Sequence, residues 1–394
     1  MDIKAIVNDY KGELISLRRD FHEHPELGFQ EFRSQEIIEN YLKECGLEVT
    51  KMAKTGVVGL LKGGQPGPTL LMRADMDALP MTEENDVPYK SKNEGVMHSC
   101  GHDGHMAMLL IAAKILSGNK EKLYGNAKFV FQPNEEDAGA KYMVEEGVLQ
   151  NPKVDACVAI HLWSQIESGK MGISEGPVMG AHENFKIVIK GKGGHSAMPQ
   201  DAIDPVLIAS QIVLSTQAIQ TKQINVLRPT LINFSTIHAG TASNIIPEMV
   251  TMTGTLRYLY EGGSDTAERP RQRIEKIVAG ICETFNAKYE IEFIPSNFTV
   301  INDAKVANLV RKAAIEVVGE ENIAPYVTMA GEDFSEFSVG NVPSTLYFVG
   351  AGNSKKGTDY PHHHPKFNID EDALIIGAEM HVRTALEYLS PKKH

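Results

Sequence analysis

Positive charge is in short supply in this chain. Its 39 Lys and Arg face 51 Asp and Glu, a formal net charge of −12. No basic cluster stands out, which argues against nucleic acid as a partner, because phosphate binding draws on gathered Lys and Arg. Long apolar runs are missing as well. No window approaches the length of a membrane span, and the opening stretch MDIKAIVNDYKGELISL alternates charged and apolar residues where a signal peptide would carry an apolar core. No membrane partner and a cytoplasmic location are the resulting expectations. Cysteine is sparse, with Cys45, Cys100, Cys157 and Cys282 the only four in 394 residues. Spread so widely in a chain without an export signal, they do not read as a disulfide framework.

What is present is an ordinary globular composition, 42% hydrophobic and 23% charged, in a chain longer than the roughly 250–300 residues at which single cores stop growing. More than one domain is expected. The first ~45 residues carry apolar positions three to four apart, interrupted at HEHPELG, and read as two helices joined by a turn. Short apolar runs follow: GVVGLL (56–61), TLLMRAD (69–75), NAKFVFQP (126–133), DACVAIHL (155–162) and, far later, STLYFVG (344–350). GHMAMLLIAAKIL (104–116) and DAGAKYMVEEGVL (137–149) between them have helical character. This rhythm predicts an α/β sheet layered by helices. Cys45 then falls near a helix end, Cys157 inside a strand and Cys282 in a helix.

From about residue 182 the pattern becomes strand, helix, strand, strand, helix, strand, carried by ENFKIVIKGKG, PVLIASQIVLSTQAI, TLINFSTIHAG, MVTMTGTLRYL, RPRQRIEKIVAGICETF and KYEIEFI. That order is ferredoxin-like and can close on itself. The expected organisation is therefore a discontinuous α/β domain, 1–181 with 295–394, holding an inserted α+β domain over 182–294.

Open α/β sheets build their sites at the carboxyl ends of strands. Here TLLMRAD runs into Asp75 and Asp77, KFVFQP into Glu135 and Glu136, and CVAIHLW ends near His161. The loop HSCGHDGH lies between the first two, and DYPHHHPKF adds His362, His363 and His364. A lone histidine is more often a buried hydrogen-bonding residue or a solvated one. Several candidates at strand ends and loops reverse that weighting, and thiolate, imidazole and carboxylate together suit Zn²⁺ or a similar divalent ion. Cys100 and His102 flank a glycine, so a sharply turning loop can aim both at one centre. A random pair of adjacent glutamates is usually a pair of solvated charges. After a buried strand and a QP turn, Glu135 and Glu136 can divide the two tasks that hydrolysis at a metal requires, holding the ion and moving a proton.

The segments RRDFHEHPELGFQE, RADMDALP, HSCGHDGHMA, QPNEED, HLW, GGHSAMP, SNIIPE, GTLR and HHHP, in order along nearly the whole chain, resemble the M20 family of metallo-amidohydrolases. The likeness is to the branch of hippurate hydrolases, N-acyl-amino-acid amidohydrolases and auxin-conjugate hydrolases. The resemblance implies a zinc-exopeptidase-like mixed-sheet domain with an inserted lid or dimerisation domain. It also implies two divalent ions (Zn, Mn, Co or Ni) bridged by Cys100, with His102, Glu136, His161 and His363 as the remaining ligands and Glu135 as general base. His363 is the branch's histidine two before proline, with His362 and His364 as alternatives. Asp77 would orient a ligand imidazole. On the insert, His195 would stabilise the oxyanion when the domains close, while Asn244 and Arg257 would hold a substrate carboxylate. The wider family's H-x-D-x-x-P motif appears here as DMDALP, with Asp75 in the histidine's place, and QPNEED differs from the branch's QPAEEG at Asn134 and Asp137.

The implied activity is hydrolysis of N-acyl amino acids, small molecules, to a carboxylate and a free amino acid. A dipeptidase or carboxypeptidase and an N-acetyl-diaminopimelate deacetylase are alternatives. A metal- or metabolite-binding protein without catalysis is the reading from another class, and retention of Glu135 argues against it, since a binder needs no base. Cys100 as a hydrolase nucleophile is disfavoured because its nearest histidines look like ligands. Assembly through the insert, as a homodimer or a homotetramer, is a further expectation.

Overall fold

The computed structural model describes residues 2–261 and 268–391. In chain order it opens with helices α1 (Ile3–Asp9), α2 (Lys11–Glu23) and α3 (Phe32–Glu44) and strands β1 (Glu48–Met52), β2 (Gly56–Lys62) and β3 (Gln65–Asp75). Then come α4 (His102–Ser117), β4 (Tyr124–Gln132), α5 (Ala140–Glu145), β5 (Ala156–Glu167), β6 (Met171–Gly172) and β7 (Gly176–Met179). Next are β8 (Ala181–Lys190), β9 (Gly194–His195), α6 (Pro205–Ala218), β10 (Thr230–Ala239), β11 (Ile245–Ile246), β12 (Met249–Tyr258), α7 (Pro270–Thr284) and β13 (Lys288–Asn297). The chain ends with β14 (Val300–Asn302), α8 (Ala304–Val318), β15 (Ile323–Ala324), β16 (Ser344–Gly352) and α9 (Asp372–Tyr388). Among the described residues no helix is long and apolar enough to cross a membrane.

Two compact units result. The first comprises Met1–Val178, Val300–Val327 and Asp333–His394, the second Met179–Thr299 and Thr328–Glu332. The first is built on an eight-stranded mixed sheet in the order β1-β2-β4-β3-β5-β16-β6-β15, whose central strands β4, β3, β5 and β16 run parallel. Strands covered on both faces lose the alternation of a half-exposed strand. Accordingly β3 is buried without a break from Thr69 to Asp75, and β16 is buried throughout. Helix α4 is buried from His102 to Ala113 on every face and packs against α2 and α9, as an apolar helix inside a core must. Its first residue, His102, follows Gly101 at φ +93°, a left-handed conformation that a side chain would strain.

The second unit has one four-stranded antiparallel sheet in the order β10-β12-β8-β13, with α6 and α7 packed on it. This is the strand order of a ferredoxin-like unit. Here alternation returns: β8 and β12 bury every second residue, and Phe185, Ile187, Ile189, Val250, Met252 and Leu256 point to the helix-covered core.

The structure departs from the pattern reading in five places. Helix α4 begins at His102, inside the stretch HSCGHDGH that reads as a loop, so only His98–Gly101 of it precede the helix. The N-terminal stretch holds three helices, because Tyr10 ends α1 and precedes α2 while the apolar periodicity runs on across the break. The helix expected over 137–149 is confined to α5, since Glu135–Asp137 form a single 3-10 turn followed by Ala138 in left-handed conformation. His161 lies within β5, which continues to Glu167; pairing of β5 with β3 ends at Ala159, so the residue sits just past the parallel seam on that side. Thr328–Glu332 joins the second unit, tied there by a bridge between Met179 and Thr328, by Gly180 N donating to Ala330 O at 2.9 Å, and by Arg257 Nη1 donating to Met329 O at 3.1 Å.

Candidate metal centre

Beyond the carboxyl ends of β3 and β4, and along β5, the first unit gathers thiolate, imidazole and carboxylate groups. Cys100, His102 and His161 form one triad and Cys100, Glu136 and His363 another; in each, the candidate ligand atoms lie within 4.8 Å of one another. Cys100 belongs to both. A third group joins His102 with Glu135 and Glu136. Cys100 Sγ is 3.7 Å from His161 Nε2, His363 Nε2 is 3.4 Å from Glu136 Oε1, and His102 Nε2 is 3.9 Å from Glu135 Oε2.

The ring orientations are held from behind. His102 Nδ1–H donates to the main-chain oxygen of Asp77 at 2.8 Å, with Asp77 Oδ1 3.4 Å away, which leaves Nε2 facing the other candidates. His161 Nδ1–H donates to Leu162 O at 2.8 Å and likewise turns Nε2 inward. Fixing one nitrogen by a hydrogen bond is how proteins commit the other to a metal. The carboxylate of Asp77 accepts from Glu135 N at 3.0 Å and Glu136 N at 3.1 Å, so it holds the glutamate turn in place.

Of the three consecutive histidines, His363 is the one brought to Glu136. It adopts φ +61° and its N–H donates to Ser99 O. His362 points elsewhere: its ring stacks on Trp163 at 4.2 Å and Nε2–H donates to Leu162 O at 3.0 Å. His364 stacks on Tyr360 and accepts from Lys366 N.

His105, passed over in the sequence reading, lies next to the cluster but has both nitrogens engaged, Nδ1 with Asp75 Oδ1 at 2.6 Å and Nε2 with Leu162 N at 2.8 Å. Asp75 is further held by Arg73 Nη1 at 2.7 Å, and Arg73 reaches Gln132 and Asp333. A charged residue inside the apolar run TLLMRAD was the available signal for this network. Asp333 N lies 3.4 Å from Glu135 Oε1. A second buried network, Arg18 with Asp103 at 2.8 Å and His22 between Asp103 at 2.7 Å and Glu83 at 3.1 Å, flanks the first turn of α4.

The electrostatics fit a cation. Burial opposes a charge on His102, yet Asp75, Asp77 and Glu136 outweigh it and raise its pKa to about 10. Burial, followed by His105 and His362, holds His161 far below the usual imidazole range and keeps it neutral. The carboxylate surplus that retains a proton on His102 is charge that a divalent ion would offset. His102 Nε2 and Glu136 Oε1 are moreover buried without a hydrogen-bond partner, a costly state for polar atoms and one that coordination would relieve.

His195, Asn244 and Arg257 belong to the second unit. His195 and Asn244 line one cleft of about 980 Å³ together with Gly193, Gly194, Thr241 and Glu248. His195 Nδ1 accepts from Ala197 N at 3.0 Å, which leaves the proton on Nε2. Arg257 is half-buried outside that lining, donating to Met329 O, and burial lowers its pKa.

Residues 71–387 match peptidase family M20/M25/M40. The N-acyl-L-amino acid amidohydrolase of Geobacillus stearothermophilus is 43% identical over 304 residues, 76% of this chain and 81% of that one. Thermostable carboxypeptidase 1 of Saccharolobus solfataricus is 38% identical over 392 residues, 98% of both chains. Among solved structures, a Bacillus subtilis dinuclear metal binding peptidase from the M20 family superposes with a TM-score of 0.83 at 32% identity, covering 96% of this chain and 98% of that one. The chain belongs to the M20 peptidase family and is a hydrolase of amide bonds, and its ligand clusters suit divalent metal.

Glu31, also unnoticed in the sequence, is fully buried, and burial raises its pKa from 4.5 to about 7. An acid whose folded pKa is raised contributes stability that is complete below about pH 4.5 and lost as pH climbs through about 7. The stability of wild type relative to Glu31→Gln should therefore fall by up to about 3 kcal/mol between those limits. Urea denaturation at pH 4.5, 6 and 8 measures it, and a pH-independent difference would exclude the buried titration.

Proposed function

We propose that the chain hydrolyses the amide bond of N-acyl amino acids at a binuclear divalent metal centre. The observation that carries this reading is the membership of Cys100 in two triads at once, the arrangement a thiolate needs to serve two neighbouring ions. His102 and His161 would hold one ion with Cys100, and Glu136 and His363 the other. When bound, divalent ions supply Lewis acidity to the scissile carbonyl and lower the pKa of water. Glu135 takes one proton from the attacking water as the C–O bond forms and delivers it to the nitrogen as the C–N bond breaks; the second proton of the water leaves the new carboxyl group for the released amine, so the products are a carboxylate and an ammonium. His195, with its proton on Nε2, donates to the developing oxyanion. Arg257, a cation already partly stripped of water, pairs with the substrate α-carboxylate, with Asn244 beside it in that task. The ion is Zn, Mn, Co or Ni, and the location is cytoplasmic.

The carboxypeptidase from Saccharolobus solfataricus supports a second reading, release of a C-terminal amino acid. The bond is chemically the same, an amide whose amine side carries a free carboxylate. A panel of N-acetyl-amino acids, N-benzoyl-amino acids and dipeptides, assayed after chelation and reloading with each ion, separates the two. Glu135→Gln should keep its metal and lose roughly 10²–10⁴ in kcat, whereas Glu136→Gln should lose metal too. Metal analysis beside the kinetics tests both, and the reverse pattern would exchange their roles.

His195→Ala should retain metal and lose about 10² or more in kcat, as when an oxyanion donor is deleted. Steady-state kinetics on an N-acyl amino acid with an unchanged kcat would remove His195 from the reaction.

The insert also has a surface suited to a second copy. β10 is an edge strand with no Lys, Arg, Asp or Glu, and Leu231 and Ile237 are exposed on it. Leu207 and Leu214 of the neighbouring α6 are exposed as well, Leu214 by 74%. The opposite edge, β13, is guarded by Lys288, Glu290, Glu292 and Pro295, the usual protection against strand pairing. A homodimer across β10 follows, and a homotetramer would need a further surface. Sedimentation velocity should show a dimer that Leu231→Lys with Ile237→Lys converts to monomer.

A further inference from the structure

Glu31 stands at the N-terminus of α3 and does not serve that helix. The residue at this position ordinarily turns its side chain back to the first exposed N–H groups. In α3 that task falls to Glu26, whose two carboxylate oxygens accept from Arg33 N at 2.9 Å and Ser34 N at 2.8 Å. The carboxyl of Glu31 points away into the core, where it is fully buried. Oε1 accepts from Asn134 N at 2.9 Å and Oε2 from Thr55 Oγ1 at 2.6 Å.

The first of these bonds completes a set. Asn134, Glu135 and Glu136 present three successive main-chain N–H groups at the start of a single 3-10 turn, and each goes to a carboxyl group from elsewhere in the chain. Glu31 takes the first and Asp77 takes the other two. The turn needs such restraint. Asn134 at φ 54°, ψ 44° and Ala138 at φ 57°, ψ 53° bracket it in left-handed conformation, which strains a residue with a Cβ such as Ala138 and persists only where the surroundings impose it.

Glu31 is itself rigidly mounted. The segment before it is tied to the stretch that follows β3 by Ala78 N donating to Glu26 O at 2.8 Å and by the bridge between Leu27 and Ala78, one residue past Asp77. Gly28 lies so close to Asn134 that a Cβ there would fall 1.8 Å from Oδ1. The stretch HPELGFQE thus touches both sides of the restraint, the segment after β3 that carries Asp77 and the turn that carries the two glutamates.

We propose that Glu31 is a positioning residue for the reaction: by fixing Asn134 N it sets the backbone from which Glu135 moves protons and Glu136 reaches metal. The inference rests on the proposed role of Glu135. Glu31 touches neither ligand candidate nor substrate, and its effect passes through the turn. A displacement of about 1 Å in a reacting group costs up to 10²-fold.

The test compares metal-loaded Glu31→Ala, Glu31→Gln, Thr55→Val, Glu26→Ala and Glu135→Gln with wild type, by kcat, KM, metal content and thermal midpoint, with kinetics well below each midpoint. Glu31→Ala should lower kcat roughly 10- to 100-fold with KM within about twofold. Glu31→Gln, which keeps an acceptor for Asn134 N, should restore at least about half of the wild-type kcat by the same geometry. Glu26→Ala should lower the thermal midpoint by removing the restraint on α3 while kcat stays at the wild-type value, which separates positioning from stability. Should Glu31→Ala fail to fold, Thr55→Val, which loosens Glu31 without deleting it, should still lower kcat several-fold. Wild-type kcat in folded Glu31→Ala, or in Thr55→Val when the former does not fold, overturns the proposal. So does an equal kcat loss in Glu31→Ala, Glu31→Gln and Glu26→Ala. If those variants lose activity while Glu135→Gln keeps it, the functional reading fails and takes this inference with it.

Discussion

One carboxylate ties the candidate centre together. Asp77 follows directly on β3 and receives the N–H groups of Glu135 and Glu136 from the end of β4, while its own main-chain oxygen receives the Nδ1 proton of His102 from the start of α4. Three elements that meet nowhere else in sequence are registered against each other through one residue. Parallel β3 and β4 bring their carboxyl ends side by side, and α4 is held in place by burial on all its faces. What the sheet leaves undetermined, the placing of the glutamate turn and of the His102 ring against each other, these three hydrogen bonds determine.

The same concentration of acid imposes a constraint on everything around it. Asp75, Asp77, Asp103 and Asp333 are all buried, and burying a charge is tolerable only when it is paired and hydrogen-bonded. Arg73 accordingly sits between Asp75 and Asp333, and Arg18 against Asp103. Pairs of this kind contribute little net stability compared with apolar replacements. Their physical effect here is on arrangement: removing Arg73 would take the cation from Asp75, whose Oδ2 lies 3.7 Å from His102 Nε2.

The main strands, the body of α4 and the succession of strands and helices in the second unit were legible because each element rests on a local periodicity. The residue types of the centre were legible because thiolate, imidazole and paired carboxylates are rare company in one chain. Other features depended on information that no local window contains. His363 is distinguished from His362 by a left-handed backbone and by the stacking of its neighbour on Trp163, and both arise from tertiary packing. The helix read over 137–149 begins only at Ala140, because Glu135–Asp137 form a 3-10 turn closed by Ala138 in left-handed conformation, a turn whose N–H groups are held by carboxyl groups distant in sequence. Glu31 carried no signal in the sequence, because its side chain serves Asn134 and Thr55 while Glu26 takes the N–H groups of the helix it precedes.

The five residues Thr328–Glu332 have a consequence for how the polypeptide is strung. Because they belong with Met179–Thr299, the main chain passes from one unit to the other four times rather than twice. A fragment excised at residues 179 and 299 would therefore lack the carbonyl of Met329, which receives the Arg257 guanidinium, and that of Ala330, which receives Gly180 N. The second unit is complete only as part of a covalent thread that leaves it and returns, so exchange of the insert between related enzymes would have to carry two separate stretches of sequence, one of them only five residues long.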